Sequence, residues 1–305
     1  MIGTLPPREG IQLYMARVDP HLISGCEVAL DVISRLVKKL EKPQLRFLRR
    51  LLGLNPRSMR AVLFTETGLL PIRYRRAIIV LKHAKYWAHL TDDHYAHAAY
   101  MESLRLSSQG HVSWAADLRT VLGAFPIPVA LPESALESAE TYLLRKRLER
   151  DNNGNLRTVV LRFRNYLRIV SVPHRKAFTR FLLSDHSLSV EALRHTDRYR
   201  KYKIPRVWRL CRFCQMEVED ETHAALVCTG HPELSPLRAD FLRDVFALRP
   251  ALQSLVLTQP AEDFLACLLL DQAVTSRMAR YVFNVLQIYE TREMWVPPEH
   301  FNLIG

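Results

Sequence analysis

Arg209-Leu210-Cys211-Arg212-Phe213-Cys214, continued through Val218-Glu219-Asp220-Glu221-Thr222-His223 to Leu226-Val227-Cys228, is the stretch around which this chain is organised. Three of its five cysteines fall here, and with His223 they read Cys-x2-Cys-x8-His-x4-Cys, a spacing that can close a tetrahedral site. A Cys-x-x-Cys turn aims two thiolates at one point, and the longer excursion lets the chain return with the other two ligands. The pattern implies a structural zinc knuckle with Cys211, Cys214, His223 and Cys228 as ligands and Zn2+ as cofactor. On a regular helix, positions five apart lie about 140° apart around the axis, so His223 and Cys228 reach one ion only if the helix begins near His223 or is distorted there. Thr222 or Asp220 can cap such a start. His231 is an alternative fourth ligand, through a looser loop at Thr229-Gly230.

A chain of 305 residues with 48% hydrophobic content can bury a core in one large domain or several smaller ones. No apolar run approaches the roughly 20 residues of a membrane span. The first residues lack the basic-then-apolar pattern of a secretory signal, so the expectation is an intracellular, reducing compartment that keeps thiolates free. Cys26 and Cys267 read as small hydrophobes.

The net charge of +12 is unevenly placed. Between Thr141 and Leu210 there are eighteen Lys/Arg against five Asp/Glu, which leaves the remainder close to neutral. A basic block beside a zinc knuckle points to a polyanion partner. Within it, Arg198, Tyr199, Arg200, Lys201, Tyr202, Lys203, Arg206 and Arg209 interleave cations with rings, a mixture suited to single-stranded nucleic acid: phosphates take the cations and unstacked bases the rings. The other reading packs the rings beneath the knuckle, with Trp208 as its roof.

Apolar residues recur at three- and four-residue intervals, which predicts helices throughout. The first runs from about Pro7 to Val18. A long one, capped by Asp31, carries Ile33, Leu36, Val37, Leu40, Phe47, Leu48, Leu51 and Leu52 to a stop at Gly53, with Pro43 either kinking it or opening a second helix. Its opposite face bears Arg35, Lys38, Lys39, Lys42, Arg46, Arg49 and Arg50, a stripe that tracks phosphates or is simply solvated. Further helices are expected from the Asn55–Ser58 turn to Thr67, from Ile72 to Leu90, from a Thr91 cap, and from Ser113 to Leu122. Beyond the prolines at 126, 128 and 132 they are expected over 133–150, 156–170, 174–183, 232–247, up to Leu270 and over 274–292. Asp92-Asp93, with His89, His94 and His97 nearby, reads as a helix start rather than a metal site.

Leu13-Tyr14-Met15-Ala16-Arg17-Val18-Asp19-Pro20-His21-Leu22, Ser24-Gly25-Cys26-Glu27-Val28, Leu40-Glu41-Lys42 and Phe47-Leu48-Arg49-Arg50-Leu51-Leu52-Gly53-Leu54 resemble the thumb segment that follows the palm in reverse transcriptases of non-LTR retrotransposons. Glu66-Thr67-Gly68-Leu69-Leu70-Pro71-Ile72-Arg73-Tyr74-Arg75-Arg76-Ala77 is similar to the downstream helical part, and Trp208 to Cys214 with Glu219 to His223 resemble the C-terminal zinc-binding segment. The likeness covers residues 8 to 228 in patches. That family holds its catalytic metals on a palm Tyr/Phe-x-Asp-Asp turn and an earlier aspartate. The one Asp-Asp pair here follows Leu90-Thr91, with leucine at the aromatic position, and lies after the thumb-like segment.

The expected protein is therefore all-α and multi-helical, with a small structural zinc knuckle inserted between helical segments. The domain reading is 8–125 thumb-like, 133–210 basic, 205–231 knuckle and 232–296 C-terminal. It is read as non-enzymatic, binding single-stranded or hybrid RNA or DNA and no membrane, with a nuclear location implied by the resemblance. The competing reading is a helical protein-interaction scaffold whose zinc is purely structural.

Overall fold

The structure, a computed structural model, describes residues 2–125, 161–196 and 202–297. Those residues are helical without a named strand; one isolated antiparallel bridge joins Leu210 to Val218 inside the knuckle. No helix among them is long and apolar enough to cross a membrane. The chain divides into two compact units, one of residues 9–48 and 59–163, the other of 1–8, 49–58 and 164–305.

The first unit is built from α1 (Pro7–Arg17), α2 (Asp19–Ile23), α3 (Ser34–Leu52), α4 (Arg60–Thr67), α5 (Ile72–Ala88), α6 (Tyr95–Ser108) and α7 (Trp114–Gly123). Ala77, Val80, Leu81 and Ala84 of α5 meet Tyr100 of α6 and Leu118 and Leu122 of α7 in one core. Trp87 and Trp114 pack edge to face at 5.0 Å, and Tyr74 stacks on Phe125 at 4.9 Å. Helix α3 continues through Pro43 without a break. Gly53 at φ 72° and Gly68 at φ 76° end α3 and α4 in the left-handed region that glycine enters without steric cost.

Polar side chains locate several ends that local pattern placed otherwise. Asp31 does not cap α3, which starts at Ser34; its carboxylate accepts two bonds from the Arg76 guanidinium at 2.6 and 2.9 Å. Buried Arg76 needs a fixed anion, and that demand outweighs a local cap. Thr91 is not the cap of α6; His94 Nδ1 accepts from the Ala96 amide at 3.1 Å instead. Gln44 of α3 reaches the start of α5, donating to Leu70 O and accepting from the Ile72 amide.

The second unit contains α8 (Val172–Leu182), α9 (Ser189–Ala192), the knuckle, α10 (Leu234–Leu248), α11 (Ala251–Thr258), α12 (Ala261–Leu270) and α13 (Thr275–Glu290). Helix α13 is its spine, packed by α8, α10 and α12. It is buried along Met278, Tyr281, Val282, Val285 and Tyr289, positions three and four apart. Phe241 of α10 lies flat on Tyr281, ring centroids 4.1 Å apart. The helix expected over 156–170 is absent from its described part: residues 161–164 are not helical and Asn165–Arg168 form a single 3-10 turn. Buried Arg175 of α8 donates to Ile169 O at 2.6 Å and to Leu5 O at 3.3 Å, capturing a carbonyl a helix would have used internally. The expected helices over 133–150 and 156–160 and the tail beyond 297 lie outside the described residues.

Candidate metal centre

Cys211 begins a turn closed by the Gln215 amide on Cys211 O at 2.9 Å, with Gln215 at φ 55°. Bridge partners Leu210 and Val218 then return the chain, and Cys211 donates its amide to Glu217 O at 2.8 Å. Asp220 opens the next helix, its Oδ1 accepting from the His223 amide at 3.0 Å; of the two expected caps it is the one used. Residues His223–Val227 then form a π-turn, and the Cys228 amide donates to His223 O at 2.8 Å. The wider i to i+5 turn supplies the required distortion, bringing residues five apart over one another where an α-helix would splay them.

As a result Cys211, Cys214 and Cys228 Sγ and one His223 nitrogen lie within 4.8 Å of one another, a group that can hold one metal ion. Cys211 Sγ is 3.6 Å from Cys228 Sγ, and Cys214 Sγ is 3.4 Å from His223 Nε2. His231 is elsewhere: its ring packs on Phe213 at 4.9 Å and its Nδ1 accepts from the Glu233 amide. The choice between Cys228 and His231 thus falls to Cys228.

The groups behind the ligands suit this role. His223 Nδ1 sits 2.8 Å from Glu217 Oε2, so the carboxylate holds the imidazole in the tautomer that turns Nε2 toward the thiols, the usual outer arrangement of a ligating histidine. The Tyr289 hydroxyl is 3.7 Å from Cys211 Sγ. Backbone amides of Phe213 and Cys214 bond Cys211, and that of Gly230 bonds Cys228. The π-turn displaces the bonding of Ala225 O, which accepts instead from Tyr281 Oη and from Arg238 Nε. None of these partners is announced by ligand spacing, although Glu217 lies within the x8 segment.

In protonated form the ligands are interdependent. The hydrogen bond with Cys228, aided by burial, pushes the Cys211 thiol up to about 11, and the same bond pulls Cys228 down to about 7. Burial opposes charge on His223, but bonds to Cys211 and Glu217 overcome it and raise the imidazole to about 9.

Between its two ligating neighbours, Arg212 points the other way, into the protein. It is 4% exposed, and its partner Glu219 is fully buried. The guanidinium meets Glu219 at 2.6 Å and donates to Tyr289 O, Arg292 O and Ser187 O at 2.6 to 2.9 Å. Glu219 also accepts from the Arg212 amide and from the amide and hydroxyl of Ser189. The pair fastens the knuckle to the C-terminus of α13 and the start of α9, where a cation also complements the last carbonyls of α13.

Gly230 is the second fixing point. A Cβ there would lie 2.8 Å from Cys214 N and 2.9 Å from Phe213 C, atoms of the very turn that holds two ligands. Gly230→Ala is therefore expected to weaken metal affinity about tenfold or more, because the displaced atoms are backbone and overpacking costs about 1–3 kcal/mol. Competition against a chelator checks it; affinity within twofold of wild type would contradict the close approach.

Arg198, Tyr199, Arg200 and Lys201 of the expected nucleic-acid run lie outside the described residues. Of the remainder, Lys203 and Arg206 are exposed, Tyr202 and Trp208 half-buried. Arg206 pairs with Asp220 at 3.0 Å. Arg209 turns inward, donating to Ile204 O and Val190 O, so this side chain braces the approach to the knuckle. The histidines near Asp92-Asp93 serve the backbone: His89 Nδ1 lies 2.7 Å from Lys85 O and His97 Nδ1 3.0 Å from Trp87 O.

The arrangement is that of a Cys3His metal knuckle clamped into a helical protein. The chain matches no protein-family model, no curated protein and no solved structure, so these side chains carry the functional argument.

Proposed function

We propose that this chain is a non-catalytic, zinc-containing protein that binds RNA or DNA, in keeping with its resemblance to the part of a retroelement reverse transcriptase that follows the palm. Zinc is the metal of choice for three thiolates and an imidazole, and four protein ligands leave no open position for a reacting water. The metal is then structural, its binding free energy contributing to the fold of the knuckle.

The observation that supports the nucleic-acid reading best is the outer face of α3. Arg35, Lys38, Lys39, Lys42 and Arg46 are all exposed, and none joins an ion pair among the described residues. At 100° per residue they fall within about 100° of one another, along about 17 Å of helix axis. Five cations in line, without an ion-pair partner among the described residues, repel one another unless an anionic partner lies along them, and a phosphate backbone offers such spacing.

Fluorescence anisotropy with labelled single-stranded RNA, single-stranded DNA and an RNA–DNA hybrid, over a range of salt, tests this. Affinity is expected to fall as salt rises, and the double variant Lys38→Ala/Lys39→Ala to flatten the log–log slope by about 1.5 to 2. A folded, metal-loaded protein that binds none of the three at low salt would instead favour the helical interaction scaffold.

A further inference from the structure

The three thiolates of the centre differ sharply in access. Cys211 and Cys228 are 0% and 1% exposed, whereas Cys214 is partly open to solvent, on the turn that carries exposed Gln215 and the 83% exposed Met216. Its neighbours are poised to answer any change at that sulfur, since all the donor atoms lie within 4.8 Å. Cys26, by contrast, is buried with its sulfur near Arg76 O, and Cys267 is a partly exposed single thiol beside Gln259. A metal-bound sulfur retains thiolate character, and susceptibility to oxidation follows that character together with exposure.

We propose that Cys214 is an oxidation site through which a peroxide discharges the metal from the knuckle. This rests on the metal reading above. In the first step the Cys214 sulfur attacks one oxygen of hydrogen peroxide, the O–O bond breaks, and sulfenic acid and hydroxide form. A neighbouring thiolate, Cys211 or Cys228, then attacks the Cys214 sulfur, the S–O bond breaks, and a second hydroxide leaves. Two thiolates have lost one electron each, the peroxide has gained two, and two protons from solvent convert the hydroxides to water. His223 and one remaining cysteine are then the only two of the four donors left to hold a divalent metal, too few to retain it.

The fold confines the change. Arg212 and Glu219 hold the knuckle to α13 and α9 through bonds that do not pass through the metal. Tyr281 and Arg238 likewise keep hold of Ala225 O. Oxidation should therefore open the knuckle while the helices of the same unit stay formed, a local and reversible loss rather than global unfolding.

The test uses the metal-loaded full chain with Cys26→Ser and Cys267→Ser as background, treated with hydrogen peroxide in the presence of a chromogenic metal indicator. Stoichiometric metal release is expected, with a disulfide containing Cys214 in the peptide map, unchanged helical circular dichroism, and recovery after thiol reduction and metal addition. Cys214→His keeps four ligands while removing the accessible sulfur, and its release is expected to be about tenfold slower. Metal analysis before treatment and the variant's own metal content separate the failures. A chain purified without metal overturns both readings. Loaded protein that keeps its metal in peroxide, or that forms only a Cys211–Cys228 disulfide with Cys214 free, overturns the oxidation site alone.

Discussion

Arg212→Met is expected to destabilise the knuckle-bearing unit by about 3–5 kcal/mol. Removing one partner of a buried pair leaves the other as an uncompensated buried charge, and Glu219 is fully buried. The remaining donors to Glu219, from the Arg212 backbone and from Ser189, are neutral and cannot replace the guanidinium charge. The substitution also removes the donors to Tyr289 O and Arg292 O, so the end of α13 loses part of its cap. Urea unfolding followed by circular dichroism measures the loss. The double variant Arg212→Met/Glu219→Gln separates charge from packing: most of the stability should return if the unpaired carboxylate is the source. A single variant within about 1 kcal/mol of wild type would show that the clamp does not hold the unit together.

Cys228→Ser is expected to reduce metal affinity by well over a hundredfold, since loss of even an outer partner of a metal ligand costs 10–100-fold. One metal ion per chain in the wild type and substoichiometric metal in the variant are the expected analyses. The same centre predicts a direction with pH. Metal binding requires deprotonated thiols and neutral imidazole, so it releases protons. Cys211 is raised to about 11 and His223 to about 9, so both carry protons at pH 7.5 that the metal must displace; Cys228, lowered to about 7, adds another as pH falls below that value. Apparent affinity should accordingly drop with falling pH, by about tenfold per unit for each proton displaced. Chelator competition at pH 7.5 and 6.5 reads this directly, and an affinity that does not change between the two would exclude these ligands.

Much of the centre was legible from residue types and spacing alone. Cys-x2-Cys-x8-His-x4-Cys named four donors, and simple helix geometry required either a helix start near His223 or a distortion there; the π-turn at His223–Val227 is the distortion. Spacing favours Cys228 over His231, which needs a looser loop through Thr229-Gly230, and the structure groups Cys228 with the other three donors while His231 packs on Phe213. The close approach of Gly230 to the Phe213–Cys214 backbone was not legible. Glu217 was also missed: a carboxylate between ligands is indistinguishable in sequence from a solvated one. Arg212 is the clearest case. Amid so many arginines its neighbourhood reads as a basic surface, yet its partners, Ser187, Glu219, Tyr289 and Arg292, are 7 to 80 positions away.

Helix positions divide in the same way. Periodic apolar residues and the glycines at 53 and 68 marked the body and ends of α3 and α4, since periodicity and left-handed stops are local properties. Asp31 and the segment around Asn165 went elsewhere, because Arg76 and Arg175 claim their groups from within the fold, whereas the start of α6 is set locally, by His94 in place of Thr91. By itself, then, the sequence determined the helical class, the four donors and the placement of charge, all of which are written in residue type and spacing. Only the tertiary structure decided which cations face solvent on α3, which are consumed holding carbonyls and carboxylates, and how the knuckle is fastened to α13. Burial converts an arginine from a surface charge into a structural tie, and burial is set by neighbours distant along the chain.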